Sequence, residues 1–210
     1  MPHILYLFLR WCPGVLGIFL RQKLYRYLLG KCGRNVLIGR YVDLENPKNI
    51  HLDDNIIINE YARLDSASSK KPVNATITVG KGVFIGAGST LSAGPGDLVI
   101  EEGSNIGSGC LIAAKMDTIL EHHALLAGFC TVGVLASVPE QDGRQRQNDT
   151  AQGYQTRIGT GCWLGLRSQV ASGLEIGKGT IVGAHSIVME SLPDYAIAFG
   201  SPARVKRMRP

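Results

Sequence analysis

The sequence predicts an all-β solenoid, in which short strands wind into about six to seven coils. Aliphatic residues recur every six residues over most of the chain, and glycine often follows them. Where the spacing departs from six, the extra residues fall at one phase of an eighteen-residue period. The aliphatic positions are Ile38, Leu44, Leu52, Ile58, Leu64, Val79, Ile85, Leu91, Ile100, Ile106, Ile112, Leu120, Leu126, Val132, Ile158, Leu164, Val170, Ile176, Val182 and Val188.

A six-residue period fits a triangular prism with three strands per coil and one inward aliphatic side chain per strand. Glycine after that side chain relieves backbone crowding at a corner. The insertions lie between residues 44 and 52, 64 and 79, 91 and 100, 112 and 120, and 132 and 158, so we expect them all to leave from one edge of the prism. A stack of βα units or a β-sandwich fits less well, because amphipathic helical stretches are missing and two-residue alternation fails at the glycines.

A second column of small side chains supports the prism. These residues follow the first aliphatic residue of each coil by four positions, and stacked strands would place them about 4.8 Å apart in a narrow corner. They are Val42, Ala62, Ser89, Cys110, Cys130, Ser168 and Ser186. Cys110, Cys130 and Cys162 therefore read as reduced core residues, although Cys110 and Cys130 would be neighbours and a redox pair is conceivable.

Charge divides the chain into three regions: a basic amphipathic helical appendage at 1–35, the solenoid at 36–192 with a long protruding loop at 133–157, and a tail at 193–210. The net charge is +5, but the first 35 residues alone carry +6 without an acidic group. Nucleic-acid binding is disfavoured, because the basic residues cluster at the two ends of the chain and do not alternate with aromatic residues on one face.

The appendage has the pattern of a helix lying in a membrane interface. The apolar residues Leu16, Phe19, Leu20, Leu24, Tyr27 and Leu28 recur at helical spacing, with Arg21, Lys23 and Arg26 expected opposite them, toward anionic headgroups. Arg10, Pro13 and Gly14 interrupt the apolar run before it reaches the roughly twenty residues that a membrane span needs. The same stripe could instead cover the first coil of the solenoid, because terminal repeats need a cap.

The last third of the chain carries a family resemblance. Residues 157 to 207 read RIGTGCWLGLRSQVASGLEIGKGTIVGAHSIVMESLPDYAIAFGSPARVKR. Together with the six-residue period, this stretch resembles the hexapeptide-repeat acyltransferases, and most closely the sugar and polysaccharide O-acetyltransferases. The resemblance covers roughly residues 36 to 207. It implies a left-handed parallel β-helix, a homotrimer and acetyl-CoA as co-substrate, with no metal.

The resemblance also implies the coenzyme site. It places Trp163, Gly165, Ala184 and Ser186 along a pantetheine wall, with His185 beside them. Arg204 and Arg207 in the tail would then meet the coenzyme phosphates, to which a guanidinium fork is suited.

The family's catalytic histidine should fall within about 133–139, but these residues read GVLASVP. His122 and His123, in the coil before the long loop, are the substitutes considered for the base, and Glu140 and Asp142 in the loop are further candidates. His3 and His51 are read as structural.

Two functions from different classes remain open. The first is an acyl-CoA-dependent O-acyltransferase, acting on a sugar hydroxyl of an envelope or exported polysaccharide or of a lipid-linked precursor, at the cytoplasmic face of a membrane. The second is a trimeric scaffold or binding homologue that has lost its base. Transfer to an amine is a weaker third possibility. The histidines do not fall at ligand spacing with cysteines or carboxylates, so no metal motif is predicted.

Overall fold

The computed structural model describes residues 3–66, 75–135 and 155–210. Within these residues the chain forms two N-terminal helices, α1 (His3–Trp11) and α2 (Gly14–Leu24), followed by a parallel β-helix. Short 3-10 turns lie at Tyr25–Tyr27 and Pro47–Asn49.

Three sheets form the three sides of the β-helix, with strands numbered along the chain. Side A contains β1 (Lys31–Cys32), β4 (Ile50–Leu52), β7 (Ile77–Val79), β10 (Leu98–Ile100), β13 (Thr118–Leu120), β16 (Thr156–Ile158) and β19 (Glu175–Ile176). Side B contains β2 (Leu37–Ile38), β5 (Ile57–Ile58), β8 (Phe84–Ile85), β11 (Asn105–Ile106), β14 (Leu125–Leu126), β17 (Trp163–Leu164), β20 (Ile181–Val182), β22 (Ala196–Gly200) and β23 (Ala203–Met208). Side C contains β3 (Asp43–Glu45), β6 (Arg63–Asp65), β9 (Thr90–Ala93), β12 (Leu111–Ala114), β15 (Thr131–Val132), β18 (Gln169–Val170) and β21 (Ile187–Val188).

The solenoid expected from the six-residue period is confirmed. Each coil runs from side A to side B to side C, and equivalent residues of successive coils pair in parallel register, as Ile106 does with Ile85 and Leu126. The inward aliphatic residues are buried throughout. Every insertion leaves between side C and side A, at the one edge that the phase of the spacing indicates.

The corners explain the small residues. A Cβ placed on Gly165 would lie 2.5 Å from the amide nitrogen of Ala184 in the next coil, so the corner between sides B and C leaves no room for one. Gly109 adopts a φ of +67°, and a Cβ there would lie 2.6 Å from the Phe129 ring. The column of small side chains from Val42 to Ser186 is buried inside this same corner.

The N-terminal helices cover the first coil. Leu9, Tyr25 and Leu29 join the buried core, and Leu20 and Leu24 pack against it. Within the described residues, none of the helices has the length and apolar character needed to cross a bilayer.

The predicted orientation of α2 is wrong for Arg21. Its side chain is 1% exposed and points inward, whereas Leu16 and Phe19 are exposed. Arg21 donates from Nη1 to the carbonyl oxygens of Leu9 and Cys12, at 2.9 and 2.8 Å, and from Nε to that of Ile38, at 2.7 Å. Carbonyls at the end of a helix lack intrahelical partners and attract a cation, and these contacts orient α2 more strongly than its apolar stripe does.

We expect Arg21→Ala to lower the free energy of unfolding by about 3 kcal/mol, because three buried carbonyl oxygens would lose a charged donor. Urea denaturation at neutral pH measures the change. Lys23→Ala on the exposed face of the same helix is the control, with an expected change within about 0.5 kcal/mol. Equal effects of the two substitutions on the free energy of unfolding would contradict the conclusion that Arg21 holds α2 against α1 and the first coil.

Candidate active site

The outward face of side B carries an exposed apolar strip at its C-terminal end. Trp163 is half exposed, and the pairing of β17, β20, β22 and β23 places Trp163, Ile181, Ile197 and Arg207 in one row. Three strand spacings separate Trp163 from Arg207, which is about 14 Å. We call these four residues the side B strip. It is an apolar track that ends at a cation.

The corner between sides B and C borders this strip. Gly165 and Ala184 lie there in successive coils, and the His185 amide donates to the Leu166 carbonyl oxygen at 2.8 Å. His185 has a φ of +57° and an exposed side chain. Gly165, Ala184 and His185 therefore lie along one edge of the strip; Ala184 and His185 are exposed, whereas Gly165 is buried beneath Ala184.

Ser186 is placed differently from its expected role. Its side chain is buried, and its Oγ accepts a hydrogen bond from the Gly200 amide at 3.0 Å. Its hydroxyl faces the interior of the prism and fastens β22 to the preceding coil. A side-chain contact between Ser186 and a ligand on the outer surface is therefore not available.

The two arginines of the tail have different surroundings. Arg207 lies on the strip beside Ile197. Arg204 pairs with Phe199 in the strand register, and its Nη1 lies 3.2 Å from Oε2 of Glu190. Both partners of this ion pair are exposed, so Glu190 offsets the charge of Arg204 without preventing it from changing partners.

His122 and His123 lie at the opposite lateral edge of side B, at the corner that precedes β14, in the coil next to that of Trp163. The Nε2 of His122 lies 3.3 Å from Oε2 of Glu101, and the His122 amide donates to the same oxygen at 3.1 Å. His123 has a φ of +57°, and its ring lies over Gly103. A carboxylate beside an imidazole orients it, as a base in a catalytic pair requires.

The histidines do not converge within one chain. His122 and His123 lie at the corner between sides A and B, and His185 lies at the corner between sides B and C. Side B separates them. Glu140 and Asp142 lie outside the described residues.

A polar network beneath His122 was not anticipated from the sequence. Arg157 donates from Nε to Oε1 of Glu121 at 2.6 Å, and Thr160 donates to Oε2 from both its amide and its hydroxyl at 2.8 Å. Burial alone would raise the pKa of Glu121, but the hydrogen bonds from Thr160 and Arg157 outweigh it and lower the pKa below its usual value. The network fixes the corner from which His122 projects.

The cysteines are not placed as nucleophiles. Cys110, Cys130 and Cys162 are buried and carry free thiols. Burial raises the pKa of Cys162 to about 11, and the contact with Cys130 together with burial raises the pKa of Cys110. The same contact lowers the pKa of Cys130 to about 7, but the Cys130 side chain is fully buried and does not reach the outer surface. In the three described stretches of chain, no group of three or more His, Cys, Asp or Glu side chains is arranged to hold a metal ion.

The sequence is similar to a known protein family and to several acetyltransferases. Residues 155–189 match the family model described as the hexapeptide repeat of succinyl-transferase. The chain is 30% identical over 146 residues to "Probable acetyltransferase Rv3034c" of Mycobacterium tuberculosis, covering 66% of this chain and 46% of that protein. It is 31% identical over 91 residues to a galactoside O-acetyltransferase of Lactococcus lactis, covering 43% of each. The matches thus span less than half the length of these two relatives.

A solved structure has the same fold. It is a variant of AntD, an N-acyltransferase from Bacillus cereus, in complex with dTDP and coenzyme A, with a TM-score of 0.55 and 21% identity over 90% of this chain and 89% of that one. Residues 155–189 thus carry the hexapeptide repeat, and the chain as a whole has the fold of this N-acyltransferase.

We expect Glu121→Gln to lower the free energy of unfolding by about 1 kcal/mol at pH 7, because the charged acceptor is lost. A carboxylate whose folded pKa is depressed stabilises the fold above its unfolded value, near 4.5, and this stabilisation is lost as the pH falls through the folded pKa. The difference between wild type and variant should therefore shrink below pH 4.5. Urea titrations across this range measure it.

Glu102→Gln is the matched control, because the Glu102 side chain, within the described part of the chain, makes only an exposed ion pair with Lys81 at 3.8 Å. We expect this control to change the free energy by less than about 0.5 kcal/mol. A difference between wild type and Glu121→Gln that does not vary with pH would contradict the assignment.

Proposed function

We propose that the chain is an acyl-CoA-dependent O-acyltransferase that transfers an acetyl group to a sugar hydroxyl, in the synthesis of a cell-envelope or exported polysaccharide. The side B strip is the observation that carries the proposal. Its apolar track matches a pantetheine arm, and Arg207 at its end matches the coenzyme phosphates. The relative named as a galactoside O-acetyltransferase supports a sugar hydroxyl as the acceptor.

The reaction is direct transfer in a ternary complex. The acceptor oxygen bonds to the thioester carbonyl carbon while the hydroxyl proton passes to a base; the carbon–sulfur bond then breaks, and coenzyme A leaves as a thiolate that takes up that proton. In this proposal Trp163, Ile181 and Ile197 hold the pantetheine, with Ala184 exposed beside it and Gly165 leaving room for the close approach of successive coils at this corner. Arg207 binds phosphate, Arg204 assists once released from Glu190, and His185 contacts the coenzyme. His122, oriented by Glu101, accepts the proton, and His123 remains the alternative base.

The proposed site requires a homotrimer. Because His122 and His185 lie at opposite lateral edges of side B, the base would serve the strip of a neighbouring copy. Exposed apolar surface on side B next to the strip, at Leu125, supports contact between copies. Sedimentation equilibrium tests this, and a monomer at working concentration would contradict it.

We also propose that the chain acts at the cytoplasmic face of a membrane, as a peripheral protein. The two N-terminal helices expose large apolar side chains, with Lys23 and Arg26 exposed nearby. These exposed residues are Leu7, Phe8, Trp11, Val15, Leu16, Ile18 and Phe19. Apolar side chains with neighbouring bases suit insertion at an anionic interface.

A second candidate is a trimeric scaffold that binds glycan or coenzyme without turnover. The separation of the histidines within one chain favours it. It predicts coenzyme binding without acyl transfer, so activity assays separate the two functions.

Calorimetric titration with acetyl-CoA and desulfo-coenzyme A should show one site per chain, with a micromolar to submillimolar dissociation constant. Arg207→Glu should weaken binding about tenfold, because it reverses the charge that meets phosphate. Lys31→Glu, a charge reversal in the first coil, is the control and should leave binding unchanged. The absence of heat at millimolar ligand from a folded sample would rule out the proposed coenzyme site.

His122→Ala should lower kcat about 100-fold with little change in the KM for acetyl-CoA, because the proton acceptor is lost and the strip is not. Transfer from acetyl-CoA to a panel of galactosides, monitored by thiol release, measures it. His51→Ala, on side A, is the control and should retain activity. Unchanged turnover in His122→Ala would show that His122 is not the proton acceptor, and that His123 or another group takes this role. No turnover by the wild-type protein would favour the second candidate function, a scaffold that binds without acyl transfer.

Phe19→Glu and Trp11→Glu should each reduce binding to anionic phospholipid vesicles about tenfold or more, because they place a carboxylate in the apolar surface. Vesicle sedimentation measures this. Leu111→Glu, on exposed side C, is the matched control. Point variants are preferable to deletion of residues 1–30, because Leu9, Tyr25 and Arg21 are part of the core. Equal binding of the variants and the control would contradict membrane insertion.

A further inference from the structure

A cavity lies between α2 and the first two coils, away from the side B strip. It has a volume of about 500 Å³ and is lined by Ile18 of α2, Leu37 and Ile57 of side B, and the polar residues Arg21, Arg40 and Glu60. Four strand spacings separate Ile57 on β5 from Trp163 on β17, which is about 19 Å. A volume of this size is typical of small-molecule sites.

The polar side of the cavity carries an uncompensated charge. Arg21 is 1% exposed, and among the described residues no carboxylate lies within ion-pair distance of it. Its Nε and Nη1 are bound to backbone carbonyls, whereas Nη2 makes no hydrogen bond within the described residues. Because Arg21 lines the cavity, this free donor offers a bound anion a charged hydrogen bond.

The neighbouring ion pair does not supply that anion. Glu60 is held by Arg40, with Nε and Oε1 2.9 Å apart. Arg21, Arg40 and Glu60 therefore leave one positive charge at the cavity. A ligand that suits it carries one anionic group.

The opposite side of the cavity is apolar. Ile18, Leu37 and Ile57 are each about two-fifths exposed. An aliphatic chain that covers them would remove apolar surface from water, which contributes roughly 25 cal/mol per Å². Charge and apolar surface lie on two sides of one cavity, so both halves of an amphipathic molecule are accommodated.

We propose that this cavity binds an amphipathic anion, with its anionic group on Arg21 and Arg40 and its alkyl chain against Leu37 and Ile57. A lipid phosphate or a fatty carboxylate has this chemistry. The site adjoins Ile18, a residue of the apolar surface formed by the N-terminal helices, so a lipid could enter it from a membrane. The proposal is independent of acyl transfer.

Calorimetric titration of the full chain tests it, with monodecyl phosphate below its critical micelle concentration. Inorganic phosphate and decyl maltoside separate the contributions of the anionic group and of the chain. We expect one site per chain for monodecyl phosphate, and at least about tenfold weaker binding for each of the other two probes. Equal binding of inorganic phosphate would show a simple anion site, and equal binding of decyl maltoside an apolar site without charge recognition; either would overturn the proposal.

Ile57→Trp tests the location, because it fills the cavity from an exposed position without disturbing the core. It should weaken monodecyl phosphate binding about tenfold or more, whereas Ile119→Trp, an outward substitution on side A, should not. Coenzyme binding should persist in Ile57→Trp, which separates this site from the side B strip. Undiminished binding by Ile57→Trp would overturn the proposal. So would a wild type that binds no amphiphile but dissociates into single chains when Ile57 is replaced, because the cavity would then be a contact between copies.

Discussion

The structure depends on the parallel register between successive coils. Each coil places its residues directly over their equivalents in the coil before, so an inward aliphatic residue meets another, and a corner residue has only one strand spacing of room. Corner positions such as Gly165 are small for this reason. The same register lines up outward residues from different coils, which is how Trp163, Ile181, Ile197 and Arg207 become one surface.

The ends of the solenoid need separate solutions, because the first and last coils have a neighbour on one side only. At the beginning, Arg21 ties α1 and the first coil together through carbonyl oxygens, while Leu9 and Tyr25 cover the core. At the end, β23 turns back antiparallel to β22 and brings Arg207 onto side B. The helices over the first coil leave a cavity with a free donor on Arg21. The antiparallel pair of β22 and β23 leaves Arg207 at the end of the side B strip. Both proposed binding sites thus arise where the repeat ends.

The repeat itself was predictable, because every strand must point one aliphatic residue inward. The regular spacing of these residues along the sequence therefore indicates the coils. The position of Arg21 was not, because a helical wheel considers one helix and the partners of Arg21 belong to α1 and β2. The burial of Ser186 could have been read from its place in the small-residue column, which outweighs its resemblance to a coenzyme-contacting position. The partner of His122, Glu101, could also have been predicted from the sequence. Glu101 and Glu121 both follow the side A aliphatic residue of their coils, so they stack in successive coils at the corner where His122 lies. The pairing of Glu121 with Arg157 was not, because the long insertion obscures which coils are adjacent.

The central claim is that the outward face of side B, from Trp163 to Arg207, binds the coenzyme. The most direct test is a crystal structure of the chain with desulfo-coenzyme A. We expect pantetheine density along Trp163, Ile181 and Ile197, phosphates within hydrogen-bonding distance of Arg207, and the His122 corner of a second copy facing the thiol end. Coenzyme bound on side A or side C, or a strip covered completely by a neighbouring copy, would contradict it.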